Sequence, residues 1–270
     1  FPSGWKPELD TTDLLKDDDA SFYQQQIGVL RWMCELGRID ILTEVSMLSS
    51  YSAAPRQGHL HGVLRLFAYL KLHKRSKMVF DPTEIEHEPH TTHDWSDFYP
   101  EAKELVPQDK PQARGKAVQT TCYCDSDHAG DEVSRRSRTG VIIFCNRAPI
   151  IFHTKRQSGI MTSSFGSEFT AMKTAVELVE GLRYKLRMMG VPLEGPTHVK
   201  ADNMSVIHNS GTPSSTLKKK NHSIAFHYVR ERCAAGVCSV SYVNTKFNVS
   251  DLLTKCMSGE VRRRLVAMVL

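Results

Sequence analysis

The sequence predicts an α/β fold: a mixed five-stranded sheet flanked by helices, its first three strands antiparallel. Three observations point to it. Val118, Thr120 and Cys122 alternate with Gln119, Thr121 and Tyr123, the period of a half-buried strand, and the run stops on Asp125 and Asp127 before Ala129-Gly130. Gly140 to Cys145 and Ile150 to His153 are apolar runs on either side of Asn146-Arg147-Ala148-Pro149, which reads as a hairpin with a four-residue turn. Beyond them, short apolar runs alternate with helical periodicity, giving the order βββαβαβα of a sheet with helices on its faces.

The elements follow in order. Residues 1–16 are polar with two prolines and predict an extended lead-in. From Asp17, the residues Phe22, Ile27, Leu30, Met33 and Cys34 recur at helical intervals, and Gly37 fits a C-terminal stop. A second helix, about Ile39 to Ser52, carries Ile41, Leu42, Val45 and Leu48. A third, about Gln57 to Lys74, carries Leu60, Val63, Leu64, Phe67 and Leu70. Residues 1–80 therefore predict a small helical unit. Residues 81–116 lack periodicity, hold five prolines and predict a linker or arm, which leaves 117–270 for the sheet.

Within that last unit, Thr162-Ser163-Ser164 offers N-caps to a long helix with Phe165, Phe169, Met172, Val176, Val179, Leu182, Leu186 and Met189 on one stripe. Gly190-Val191-Pro192 ends it. His198 to Ala201 predicts a strand, and Asp202-Asn203 caps a helix over Met204 to Asn209. A polar loop with Lys218, Lys219 and Lys220 follows, then a helix from about Ser223, a strand from Ser239 to Val243, and a last helix carrying Asp251.

Composition narrows the function classes. With 40% hydrophobic residues the chain can bury a core, and no apolar run approaches the ~18 residues of a membrane span. Its first residues do not form a signal peptide, and seven cysteines lying mostly in apolar runs read as reduced core residues of an intracellular protein. Net charge is +5, yet residues 81–110 carry −7, so the remainder stands at +12 and invites a polyanionic partner.

Asp125 at a strand end, Glu168 near a helix start, Asp202 after a second strand and Asp251 at another helix start are four carboxylates in punctuated contexts. Brought together they would form a divalent-metal site, and a basic surround points to a polyphosphate substrate. Any one of them alone reads as a cap.

The strings YCDSDHAGD, RRSRTG, PIIFHTKRQ, SSFGSEFTAM, ADNMSV, KKKNHSIAFHYVRER and NVSDLLTK resemble the ribonuclease H (RNase H) region of copia-type LTR retrotransposon polyproteins. FYQQQIGVLRWMCELGRIDI and HGVLRLFAYLKLHKRSKMVFDP are similar to the thumb and connection segment that joins reverse transcriptase to that region. The resemblance covers nearly the whole chain and implies an RNase H-like fold after a thumb/connection-like unit. His128, where an aromatic is usual, and Asn221 depart from the pattern. The paired aspartates of a polymerase palm are absent, so polymerisation is not expected of this stretch.

The resemblance implies an endonuclease that cuts the RNA strand of RNA/DNA hybrids during reverse transcription. Asp125, Glu168, Asp202 and Asp251 would hold two Mg²⁺, with Mn²⁺ as a substitute; Asp125 would bridge them, Glu168 and Asp202 completing one shell and Asp251 the other. Ser126, Ser167 and Asn203 are candidates for contacts with the RNA backbone. Arg135, Arg136, Arg138, Lys155, Arg156, Lys218, Lys219 and Lys220 are candidates for phosphates. The partners implied are the hybrid and the reverse-transcriptase palm and fingers of the same polyprotein, with no membrane, in a cytoplasmic particle or the nucleus. The alternative is a catalytically inactive retroelement remnant that binds nucleic acid or supports a polymerase.

Overall fold

A computed structural model describes residues 1–87, 93–217 and 222–270. Its five strands, β1 (Thr120–Asp127), β2 (Arg138–Cys145), β3 (Ala148–Arg156), β4 (Thr197–Ala201) and β5 (Cys238–Tyr242), form one sheet in the order β3-β2-β1-β4-β5. β1, β2 and β3 are antiparallel, and β4 and β5 run parallel to β1. The predicted sheet is therefore the observed one, with β1 at its centre.

The continuous apolar run of β2 has a direct cause. Val141 and Ile143 pack beneath the long helix, while Ile142 and Phe144 pack against the C-terminal turn and helix, so both strand faces are buried. The hairpin turn is shorter than its sequence predicts. Only Asn146 and Arg147 separate β2 from β3, with Asn146 at φ 52°, a left-handed conformation that asparagine tolerates. Pro149 joins β3, where an edge position accommodates its missing N–H.

On one face of the sheet lie α4 (Ser164–Met188), α5 (Met204–Gly211) and α6 (Ser223–Ala234). Ser163 caps α4 by accepting from the Gly166 N–H at 3.3 Å, and Phe169, Met172, Val176, Val179 and Leu182 bury the predicted stripe. Met189 lies beyond the helix end and is exposed, because the chain has already turned at Gly190 (φ 73°). The opposite face carries α7 (Gly259–Val266) and a 3₁₀ turn, Val249–Leu253. Asp251 belongs to that turn and not to a final α-helix as expected; Asn248 caps the turn by accepting from Ser250.

The N-terminal unit comprises α1 (Asp17–Glu35), α2 (Leu42–Ser49) and α3 (Gln57–Leu72). Phe22, expected in its core, is exposed; Tyr23 is fully buried instead and donates to the Leu48 carbonyl at 2.7 Å. Residues 1–16 are not a free lead-in either. Phe1, Trp5 and Leu15 pack on the helical core, and Leu14 pairs with Arg56. This unit sits on the sheet face that bears Asp251: Thr43 donates to the Leu252 carbonyl at 2.6 Å, Arg262 pairs with buried Glu44, and Ile39 joins the core of β2 and α7.

Residues 81–116 contain no described helix or strand, and they are fastened to the sheet. Glu104 pairs with Arg183 and Arg187, and Trp95, Phe98 and Tyr99 surround the Arg230 guanidinium. These paired charges explain how an acidic stretch stays against a basic domain.

Candidate metal centre and nucleic-acid interface

Strand period fixes what β1 presents to each side. Cys122 and Cys124 face the α4 core, so Tyr123, Asp125 and Asp127 point to the face carrying the Val249–Leu253 turn. Asp125 is opposite Gly140 of β2. A Cβ on residue 140 would stand 2.7 Å from both the Ser250 carbonyl oxygen and Thr254 Cγ2. The absent side chain is therefore what lets the turn bring Asp251 and Thr254 against Asp125.

Three helix and strand ends complete the cluster. Glu168 projects from the second turn of α4, and Asp202 follows β4 just before Asn203, which caps α5 by accepting from the Ser205 and Val206 N–H groups. Carboxylate oxygens of Asp125, Glu168 and Asp202 all lie within 4.8 Å of one another. Asp251 stands beside Asp125, near enough for the two charges to oppose each other, and Thr254, three residues on, donates to Asp125. Three of the four predicted acids thus share one cluster at the end of β1, with Asp251 next to Asp125.

Their orientation is held by side chains that sequence reasoning did not single out. Thr254 donates to Asp125 Oδ2 at 2.7 Å, and Thr245 donates to Asp202 Oδ2 at 2.8 Å. Lys255 Nζ donates to Asp251 Oδ1 at 3.0 Å. Thr254 and Lys255 stand three and four residues after Asp251 in DLLTK, a spacing that was available as a signal.

Crowding four acids into a partly dry site costs their ionised forms. Glu168 is pushed up to about 9, by burial first and then by the charges of Asp125 and Asp202. Asp251 is pushed up to about 7 by burial and by Asp125, and Asp202 is raised by burial as well. Lys255 is desolvated, yet the charges of Asp125 and Asp251 hold its pKa above the ordinary value. Such a set fits a hard divalent cation: only oxygen donors are present, and a cation would remove the repulsion that now favours protons.

The predicted nucleic-acid contacts divide. Arg135 and Lys155 are exposed, and Arg136 and Arg156 half-exposed, on the rim beyond the β1 end. Asn203 is half-exposed, with its carbonyl committed to the α5 cap. Ser126 and Ser167 do not face solvent. Ser126 alternates away from Asp125 and its hydroxyl is buried without a partner, while Ser167 is fully buried and donates to the Ser164 carbonyl at 2.9 Å. Arg138 is buried too. Lys218, Lys219 and Lys220 lie outside the described residues.

The sheet order, with acids gathered at the end of its central strand, is that of an RNase H-like fold. No protein-family model matches the chain. Homologues are retrovirus-related Pol polyproteins of transposons: those of RE1 and RE2 from Arabidopsis thaliana are each 23% identical over 257 residues, 95% of this chain. The chain spans 15% of the length of each. Among solved structures, LC11-RNase H1 in complex with an RNA/DNA hybrid is similar at 14% identity and TM-score 0.41, covering 50% of this chain and 94% of that one.

Proposed function

We propose that the chain is the RNase H part of a retrotransposon polyprotein and hydrolyses the RNA strand of RNA/DNA hybrids at a centre of two divalent cations, Mg²⁺ in the cell and Mn²⁺ as a substitute. The observation that carries the reading is the convergence of Asp125, Glu168 and Asp202 within 4.8 Å, with Asp251 beside Asp125. Cations held there supply Lewis-acid activation of water and neutralisation of charge on the phosphoryl group. The protein's own part is positioning. Thr254 and Thr245 each occupy one oxygen of Asp125 and Asp202, which fixes the carboxylate planes and leaves lone pairs for metal. Gly140 admits the turn that delivers Asp251.

In this reading residues 1–80 are the thumb/connection-like unit, 81–116 the linker and 117–270 the nuclease domain. Phe22, Val29, Trp32 and Leu36 form an exposed apolar stripe along α1, which suits the palm and fingers of the same polyprotein. No described helix is long and apolar enough to cross a membrane, and the expected setting is a cytoplasmic particle or the nucleus. The test is cleavage of a hybrid labelled on either strand. Mg²⁺-dependent loss of the RNA strand, abolished by EDTA and by Asp125→Asn or Asp202→Asn with hybrid binding retained, supports the enzyme. Binding without cleavage, indifferent to these substitutions, supports the inactive remnant.

A further inference from the structure

Where α6 ends and β5 begins, two thiols come into contact. Cys233 stands in the last turn of the helix, Cys238 opens the strand, and their sulfurs lie 3.8 Å apart. We propose that Cys233 and Cys238 form a reversible oxidation site, a dithiol that a low-molecular-weight disulfide such as glutathione disulfide converts to an internal bond stapling α6 to β5. The inference is independent of the hybrid-cleaving reading. Cys238 pairs with Thr197 at the start of β4, whereas Asp202 follows the far end of that strand.

Proximity singles out this pair. Among the described residues the other sulfurs that make contacts reach different atoms: Cys122 the Tyr123 carbonyl at 3.9 Å, Cys124 the Lys200 carbonyl at 3.8 Å, and Cys256 the Met47 thioether at 3.9 Å. Cys122 and Cys124 share a strand face, yet neither touches the other.

The backbone holds Cys233 and Cys238 together. Gly236, left-handed at φ 70°, donates its N–H to the Cys233 carbonyl at 3.1 Å, and the Val237 N–H donates to the Arg232 carbonyl at 3.0 Å. That helix-ending motif folds the chain back so that residue 238 enters the sheet beside the turn it has just left. A disulfide needs sulfurs at about 2.05 Å, so about 1.8 Å remains to be closed, a distance that side-chain torsions cover while the backbone stays in place.

Access assigns the two roles. Cys233 is half-buried and Cys238 only 2% exposed. The hydrogen bond with Cys233, and then burial, hold the Cys238 thiol well above its ordinary value, so Cys233 reacts first. Its thiolate attacks one sulfur of glutathione disulfide; that S–S bond breaks, one glutathione thiolate leaves, and a mixed disulfide remains on Cys233. Cys238, giving up its proton, then attacks the Cys233 sulfur and expels the second glutathione. Two protein thiols are oxidised, and one glutathione disulfide is reduced to two thiols. The new bond ties down β5, an edge strand that β4 alone holds and that leads into the segment bearing Thr245 and Asp251.

The experiment incubates the native full chain with glutathione disulfide near pH 8, blocks remaining thiols by alkylation in denaturant, and digests without reduction. Trypsin cuts after Arg232 and Lys246, so both cysteines fall in one peptide, Cys233–Lys246, with no third. That peptide should lose both alkyl groups together and weigh two hydrogens less, and dithiothreitol should reverse the change. Cys238→Ser should instead accumulate glutathione on Cys233, and Cys233→Ser should leave Cys238 unmodified. Closing so short a loop should raise the melting temperature by up to roughly 8 °C.

Complete alkylation of both cysteines after prolonged exposure of the native parent protein overturns the proposal. So does a bond that forms only in urea, because the pairing then belongs to the unfolded chain. A lower melting temperature in the oxidised protein refutes the staple. The parent protein supplies these readouts by itself, so neither variant has to fold for the test to decide.

Discussion

Gly140→Ala is the substitution whose outcome follows most directly from the packing around the acids. The new methyl would meet the Ser250 carbonyl oxygen and Thr254 Cγ2 at 2.7 Å and Leu253 Cβ at 2.9 Å. Carbon atoms rest at about 3.5–4.0 Å, so the Val249–Leu253 turn must retreat by roughly 1 Å. Gly140 has no positive φ, so its backbone conformation itself accepts alanine. Overpacking costs about 1–3 kcal/mol, and alanine's lower chain entropy in a strand offsets roughly 0.5–1 kcal/mol of it. A net loss of at most about 2.5 kcal/mol lowers the melting temperature by no more than about 10 °C for a chain of this size. Activity should fall much further, because the displaced turn carries Asp251 and Thr254, and a 1 Å misplacement in a catalytic constellation costs about 10²-fold. Thermal melting and single-turnover cleavage of a labelled hybrid at saturating Mg²⁺, run on the same preparation, separate the two effects. Turnover within threefold of the parent, in a variant that folds, would refute the claim that Gly140 positions the Asp251 turn.

Other perturbations have equally definite outcomes. Glu168 and Asp251 hold protons in the fold up to about 9 and 7, whereas in the unfolded chain they release them near 4. Between those limits the folded state binds more protons, so metal-free stability should fall as pH rises from about 4 to 9. Mg²⁺ should flatten that slope in melts taken across the range, and a metal-free stability that climbs above pH 5 would contradict the clustering. Arg262→Met removes the partner of Glu44, whose side chain is 2% exposed, and should destabilise by about 3–5 kcal/mol in urea titrations; adding Glu44→Leu should restore much of it. Lys255→Met removes a cation that pairs with Asp251 and should strengthen Mg²⁺ binding by the protein alone, read by calorimetry.

Much of the fold was legible because its signals are local. Strand period two and the acid at the end of β1 are written in consecutive residues, as is the Ser163 cap of α4. Asp125, Glu168 and Asp202 were legible individually as punctuation, and their clustering through the resemblance to a known order. What escaped depends on approach between distant segments. Nothing near Gly140 in sequence announces that residues 250–254 pass over it. The burial of Ser126 follows from its parity on β1 once Asp125 is assigned to the outer face, yet adjacency to Asp125 made it look like a contact residue. Tyr23 displaced Phe22 because the Leu48 carbonyl satisfies its hydroxyl, a partner 25 residues away. Residues 1–16 read as a lead-in because the surface that Trp5 and Leu15 cover is assembled only when α1 and α3 pack.

The account turns on whether the carboxylates act as one cation site. Mn²⁺ binding at pH 7.5, followed by the loss of the free-ion EPR signal, measures this without substrate or turnover. The parent protein should take up Mn²⁺, release protons as it does so, and lose that uptake in Asp125→Asn. Uptake that survives Asp125→Asn unchanged, or no uptake by the parent protein, would contradict the metal centre and everything built upon it.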